Sequence, residues 1–125
     1  MEVLLDTHVF LWWLAADARL TETMRAHVAN LSNQPVVSAA SAWEVAIKQA
    51  LGKLRLDGDL EESAERCGFR LLPVTFSHAA EVRALPALHR DPFDRMLIAQ
   101  ARVENLPLLT ADRRLAAYPA NVPCA

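Results

Sequence analysis

Glycine and cysteine are scarce in this sequence, with 3 and 2 residues respectively among 125. A phosphate-cradling loop needs several glycines close together. Gly52, Gly58 and Gly68 are each isolated, so a P-loop and a Gly-x-Gly-x-x-Gly turn are excluded. Cys67 and Cys124 form no C-x-x-C pair, which removes a thiolate zinc centre and makes two reduced thiols the expectation. Charge of one sign is not in excess either: 13 Lys and Arg against 15 Asp and Glu give a net charge of -2. That balance carries no nucleic-acid signature, and any anionic ligand would need local help to approach. No apolar run nears the roughly 18 residues of a membrane span. The opening Met-Glu-Val-Leu-Leu-Asp has no basic stretch of the secretory kind, so a cytoplasmic location is expected. What is present is 53% apolar and 22% charged residues, the composition of one globular domain over residues 1–125.

The most informative stretch is Asp91-Pro-Phe-Asp-Arg-Met-Leu-Ile-Ala-Gln-Ala101. Asp91 suits an N-cap, Pro92 the first helical position, and Asp94 the third, where a carboxylate meets the positive end of the helix dipole. Phe93, Leu97, Ile98 and Ala101 then recur at helical steps beside Met96, predicting a broad apolar face. Asp94 therefore sits where packing meets an open end. Taken alone, both acids could be capping residues only.

Along the chain, residues 2–6 read as a short buried strand ending at Asp6, and residues 7–15 as a dense helix whose Trp12 and Trp13 belong to the core. Thr21 precedes a helix over 22–31, with Met24, Val28 and Leu31 on one face and a possible interface role for Met24 and Val28. Residues 35–38 form a second strand. The helix over 39–51 stops at Gly52 and is expected to bury Trp43, Ala46, Ile47, Ala50 and Leu51, with Glu44 at the border of that face. An i,i+4 ion pair with Lys48 is the plain explanation of Glu44. Asp59 caps a helix over 60–67. Asp57-Gly58-Asp59 suggests a calcium loop, but the closing Glu would fall on Gly68. A third strand over 69–74 contains Pro73, as edge strands do. Ser77 is expected to cap a helix reaching Leu85, and residues 86–90 form the loop into the Asp91 helix. Residues 107–110 make a fourth strand, Asp112 opens a short helix, and the tail from Tyr118 could add a last strand.

Strands alternating with helices predict an α/β domain: a three-layer α/β/α sandwich around a mainly parallel sheet. Ligands of such sheets bind beyond the carboxyl ends of the strands. Asp6 and Asp112 follow strands, and Asp94 and Glu44 lie near the starts of helices, so all four acids can face one rim. Clustered carboxylates repel each other unless a cation stands between them, and all-oxygen ligation selects Mg²⁺ or Mn²⁺. Such an ion suits phosphodiester hydrolysis, because it polarises a phosphoryl oxygen, activates water and reverses the local charge towards a polyanion. Arg90, Arg95, Arg113 and Arg114 could grip flanking phosphates, or be ordinary surface charge.

The ordered blocks Leu-Leu-Asp6-Thr7-His8, Trp43-Glu44-Val-Ala-Ile-Lys48, Asp91-Pro-Phe-Asp94-Arg-Met-Leu-Ile-Ala-Gln-Ala and Leu-Leu-Thr110-Ala-Asp112 resemble PIN-domain proteins across essentially the whole chain. The likeness is greatest to the small VapC-type toxins of toxin–antitoxin modules. The resemblance implies a Mg²⁺- or Mn²⁺-dependent endoribonuclease, usually a homodimer, held inactive by a cognate antitoxin. It places the metal-binding and catalytic acids on Asp6, Glu44, Asp94 and Asp112. It also sets Thr7 and Thr110 beside the acids as hydroxyls that could orient a carboxylate or a water. Asp91 matches a frequent extra acid, and His8 either touches substrate or packs at the helix start.

Competing readings fit less well. A haloacid-dehalogenase-like phosphatase wants a second Asp two residues after Asp6, where His8 stands. His89-Arg90-Asp91 imitates a kinase catalytic loop, but Met96 occupies the position of its Asn. A catalytically inactive PIN-like interaction module should have lost one of the acids, and all four are present.

Overall fold

The computed structural model describes residues 1–87 and 90–117, with the backbone alone at Ala116 and Ala117. The expected tail strand, Cys124 and part of the loop before Asp91 lie outside the described residues. The elements are β1 (Glu2–Leu5), α1 (Thr7–Ala15), α2 (Glu22–Ala29), β2 (Gln34–Ser38), α3 (Ala39–Ala50), α4 (Leu60–Arg66), β3 (Arg70–Leu72), α5 (Phe76–Ala84), α6 (Pro92–Glu104) and β4 (Leu108–Leu109), then a 3₁₀ turn at Arg113–Ala117. All strand pairings are parallel, in the order β3-β2-β1-β4.

Both faces of the sheet are covered, which explains the uninterrupted apolar strands. Val3, Leu5, Val37 and Leu109 point to one side, where they pack with Val9 and Phe10 of α1, Met24 and Val28 of α2, Val45 of α3, and Leu60 and Ala64 of α4. Leu4, Val36, Leu72 and Leu108 point to the other, against Leu97, Ile98 and Ala101 of α6. Each fully buried Leu or Phe contributes about 1.5–3 kcal/mol. The result is the expected three-layer α/β/α sandwich with a parallel sheet.

Strand order fixes where a ligand can sit. From β1 the chain crosses to β2 on one side, and only later places β4 on the other. The crevice of an open parallel sheet lies at such a reversal, here beyond the carboxyl ends of β1 and β4. Asp6 follows β1 directly, and Thr110 and Asp112 follow β4.

Several boundaries differ from the sequence expectation, each for a local reason. α5 is capped by Thr75, not Ser77: the Thr75 hydroxyl accepts from His78 N–H at 3.3 Å, and His78 Nδ1 accepts from Thr75 N–H at 3.0 Å. This reciprocal pair satisfies two helix-end donors at once. α2 stops at Ala29, so Leu31 is fully exposed and not part of its buried face, while Met24 and Val28 are core residues and unavailable to an interface. β3 ends before Pro73, which has no N–H to give the ladder, and lies at the sheet edge as expected.

The largest difference concerns α3. Its buried residues are Ala40, Ser41, Glu44 and Val45, while Trp43, Ile47 and Leu51 are 62%, 39% and 63% exposed. The apolar arc expected to face inward faces outward. Small residues at positions 40 and 41 let the helix approach the sheet and α6 closely, and the buried face brings Glu44 with it. Trp43 rests on Phe93 of α6, ring edge to face, at 4.9 Å.

Candidate active site

Asp6 is the best-defined acid of the rim. It is 3% exposed, caps α1 by accepting from His8 N–H at 3.3 Å, and accepts from the Thr110 hydroxyl at 2.5 Å. Thr110 Oγ1 in turn accepts from Asp112 N–H at 3.0 Å. One hydroxyl therefore joins the ends of β1 and β4 and fixes the Asp6 carboxylate. Burial raises the Asp6 pKa above its ordinary 3.8. The hydrogen bond from Thr110 and the neighbouring His8 oppose that rise, while the Glu44 charge adds to it.

Glu44 reaches the same rim from α3 and is 5% exposed. The expected pair with Lys48 exists, Nζ to Oε2 at 2.8 Å, although the carboxylate is buried and not a surface charge. Thr7 Oγ1 donates to Ser41 Oγ at 2.7 Å. That bond ties the start of α1 to α3 one turn before Glu44, so Thr7 orients the helix that carries an acid and not an acid itself. Ser41 gave no signal in the sequence, because a lone serine within an alanine-rich helix looks like any serine facing solvent.

Asp91 caps α6 as expected, accepting from Phe93 N–H at 2.9 Å and Asp94 N–H at 3.1 Å. Asp94 is thereby fixed in the first helical turn. Asp112 is chelated by Arg114, with Nη2 to Oδ2 at 2.7 Å and Nε to Oδ1 at 3.0 Å. The Arg114 pKa is raised, chiefly by the Asp112 bonds and also by the charges of Asp94 and Asp91. Arg114 is thus the cation around which this half of the rim is arranged. Arg95 is used structurally, donating to the carbonyls of Pro86 at 2.9 Å and Val82 at 3.2 Å.

Two electrostatic groups are visible: Asp6 feels the Glu44 charge, and Arg114 feels the charges of Asp94 and Asp112. Thr110 links the groups. Among the described residues, no three Asp, Glu, His or Cys side chains stand close enough to share one ion. The donor chemistry still suits a hard divalent cation, since every acid offers oxygen and a buried, raised-pKa carboxylate beside a second carboxylate gains most from a positive charge. Such a cation must compete with Lys48 for Glu44 and with Arg114 for Asp112.

Residues 3–121 match the PIN domain family. Ribonuclease VapC22 of Mycobacterium tuberculosis is 33% identical over 121 residues, covering 93% of this chain and 91% of that protein. Among solved structures, VapBC2 from Rickettsia felis, bound to a DNA fragment from their promoter, has a chain that superposes with a TM-score of 0.72 at 13% identity, covering 100% of this chain and 99% of its own. A chain of FitAcB from Neisseria gonorrhoeae gives 0.65 at 22% identity, with coverage of 96% and 95%. At these identities the structural likeness speaks for the fold. The match over nearly all of the sequence, with the fold to go with it, makes this chain a member of the PIN-domain family.

Proposed function

We propose that this PIN-domain protein is a divalent-metal-dependent endoribonuclease, the toxin of a toxin–antitoxin pair. Asp6, Glu44, Asp94 and Asp112 are its metal-binding and catalytic residues, with Mg²⁺ or Mn²⁺ as the ion. The observation that carries the reading is Asp6: an acid buried at the reversal of the sheet, its pKa raised, facing a second buried acid. Such an arrangement works against folding and is retained where a site needs it. The relative named as a ribonuclease and the neighbours solved in VapBC complexes support the substrate class and the antitoxin partner.

When bound, the ion supplies charge stabilisation to a phosphodiester and lowers the pKa of a coordinated water. The chain's own residues do the positioning. Asp6, pinned by Thr110 and the first turn of α1, presents one carboxylate without rotamer freedom. Asp94 is presented by the capped end of α6. Glu44 and Asp112 are the adjustable members, since each would give up a protein cation to hold the ion. Arg114, released from Asp112, would stand at the rim as a phosphate contact.

The outward stripe of Trp43, Ile47 and Leu51 on α3 supports a protein partner, because three large apolar side chains at successive turns are expensive to leave in water. We assign it to the homodimer expected for this family.

The pairing of Glu44 with Lys48 and of Asp112 with Arg114 is what favours the other reading, an inactive interaction module. Incubation of the purified protein with RNA separates them. Cleavage that needs Mg²⁺ or Mn²⁺, stops with chelator and is lost in Asp94→Asn supports the enzyme. Absence of metal-dependent cleavage, or identical cleavage by Asp94→Asn, rules it out.

A further inference from the structure

A cleft of about 500 Å³ runs between α1 and the loop that joins α3 to α4. His8, Trp12 and Arg19 line it on one side, and Lys48, Lys53 and Arg55 on the other. The same His8, Trp12 and Arg19 also line a shallower depression that ends at Asp112. One continuous surface therefore leads from the acidic rim into a cation-lined cleft.

Its two sides are built differently. On the α1 side, the Arg19 guanidinium lies over the Trp12 ring at 5.2 Å. Asp17 holds it there through Nε to Oδ1 at 3.1 Å and Nη2 to Oδ2 at 2.7 Å. Those bonds to Arg19 hold the Asp17 pKa down to about 2, so the pair stays charged across the working range. The Arg19 side chain is nonetheless 70% exposed. The guanidinium lies over an indole, its edge is fixed by a carboxylate, and it remains open to solvent. On the other side, the sequence Lys53-Leu54-Arg55-Leu56 alternates: the leucines pack against the core, and Lys53 and Arg55 are exposed. Gln49 Nε2 donates to the carbonyls of Leu56 and Gly58, each at 3.3 Å, which pins this loop to α3. Among the described residues, Lys53 and Arg55 form no ion pair, unlike Lys48 with Glu44 and Arg19 with Asp17.

A fixed planar stacking surface opposite two unpaired cations is chemistry for a single-stranded polynucleotide: a base on the plane, phosphates on the charges. It is ill suited to a duplex, whose bases are already stacked. We infer that Arg19, held over Trp12 by Asp17, is a nucleobase-stacking platform, and that Lys53 and Arg55 grip the adjoining phosphates of single-stranded RNA leading to the acidic rim. This rests on the ribonuclease reading and assigns the substrate path outside the acids.

The test is fluorescence anisotropy with a short labelled single-stranded RNA, in chelator and in the Asp94→Asn background, so that binding is read without cleavage. An abasic ribose-phosphate oligomer of equal length is the second probe. Lys53→Ala with Arg55→Ala should flatten the slope of log affinity against log salt by about 1.4 between about 50 and 200 mM, from roughly 0.7 per lost phosphate contact. Arg19→Lys retains the charge and removes the plane. It should weaken the base-bearing RNA about fivefold or more and leave the abasic oligomer unchanged. These side chains are exposed, and equal melting temperatures would show that the variants fold. If the parent binds RNA and the wild type cleaves it while these variants match the parent, the platform is overturned and the ribonuclease reading stands. The platform is likewise overturned if the variants lose only a protein partner. If the wild type neither binds nor cleaves RNA, the ribonuclease reading fails and the platform falls with it.

Discussion

Replacing Asp6 with Asn should make the metal-free protein more stable while abolishing its function. Asp6 is 3% exposed, and burial is the largest cause of its raised pKa. A carboxyl that holds its proton more tightly when folded opposes folding once ionised. That penalty is fully present above the raised folded pKa and vanishes below the ordinary value of 3.8. Asn is nearly isosteric, still caps α1, and still offers an acceptor to Thr110. Relief of active-site destabilisation commonly gives about 0.5–2 kcal/mol. For 125 residues, about 2.1 cal/mol/K per residue converts each kcal/mol into about 4 °C of Tm. In chelator at neutral pH the variant should therefore melt about 2–8 °C above wild type, and the gap should close as pH falls towards 4. Saturating Mg²⁺ should invert the order, because a ligand at 100 times its Kd adds about 2.7 kcal/mol to the protein that binds it and nothing to one that does not. Scanning calorimetry at several pH values, with and without Mg²⁺, reads all three effects. A variant less stable than wild type in chelator at neutral pH, or a gap that ignores pH, would refute the account of Asp6.

His78 is fully buried, with Nδ1 accepting from Thr75 N–H and lying 3.3 Å from Gln100 Nε2, and Nε2 2.8 Å from Glu104. His78→Ala leaves a cavity and strands those partners, so urea denaturation should show a loss of about 2–4 kcal/mol; under 1 kcal/mol would mean that the network is dispensable. Arg114→Ala frees Asp112 from its chelating cation and should lower the Mg²⁺ concentration for half-maximal cleavage about two- to fivefold, whereas an increase would show Arg114 acting on substrate first. Trp43→Glu combined with Leu51→Glu should convert a dimer into a folded monomer by light scattering, with the far-UV circular dichroism spectrum retained, and an unchanged mass would place the dimer contact elsewhere.

Much of the topology was legible because it rests on local chemistry. Asp91-Pro92 marked the start of α6, Asp59 the start of α4, and unbroken apolar runs flanked by helices marked parallel strands. Asp6 and Asp112 were identifiable as strand-end acids for the same reason. What the sequence concealed was orientation. Trp43, Ile47 and Leu51 outweigh Ala40, Ser41 and Val45 in apolar area, so periodicity pointed the wrong face of α3 inward. In the structure the small Ala40 and Ser41 face inward, and Glu44 is buried on the same face. His78 was invisible for a related reason: a histidine following a plausible cap gives no sign that its ring returns to bond Thr75 and bridges α5 to α6. Thr110 was correctly placed beside the acids, but its double role, donor to Asp6 and acceptor from Asp112 N–H, depends on the pairing of β1 with β4.

In the proposed enzyme the two halves of the acidic rim close on one hard cation. Anomalous diffraction from crystals soaked in Mn²⁺ tests it directly. A single strong peak, or a close pair, is expected between Asp6 and Asp94, with Glu44 and Asp112 bound directly or through one water and turned away from Lys48 and Arg114. A saturating soak with no peak there, or with Mn²⁺ held by other residues while Glu44 and Asp112 keep their protein cations, would contradict it.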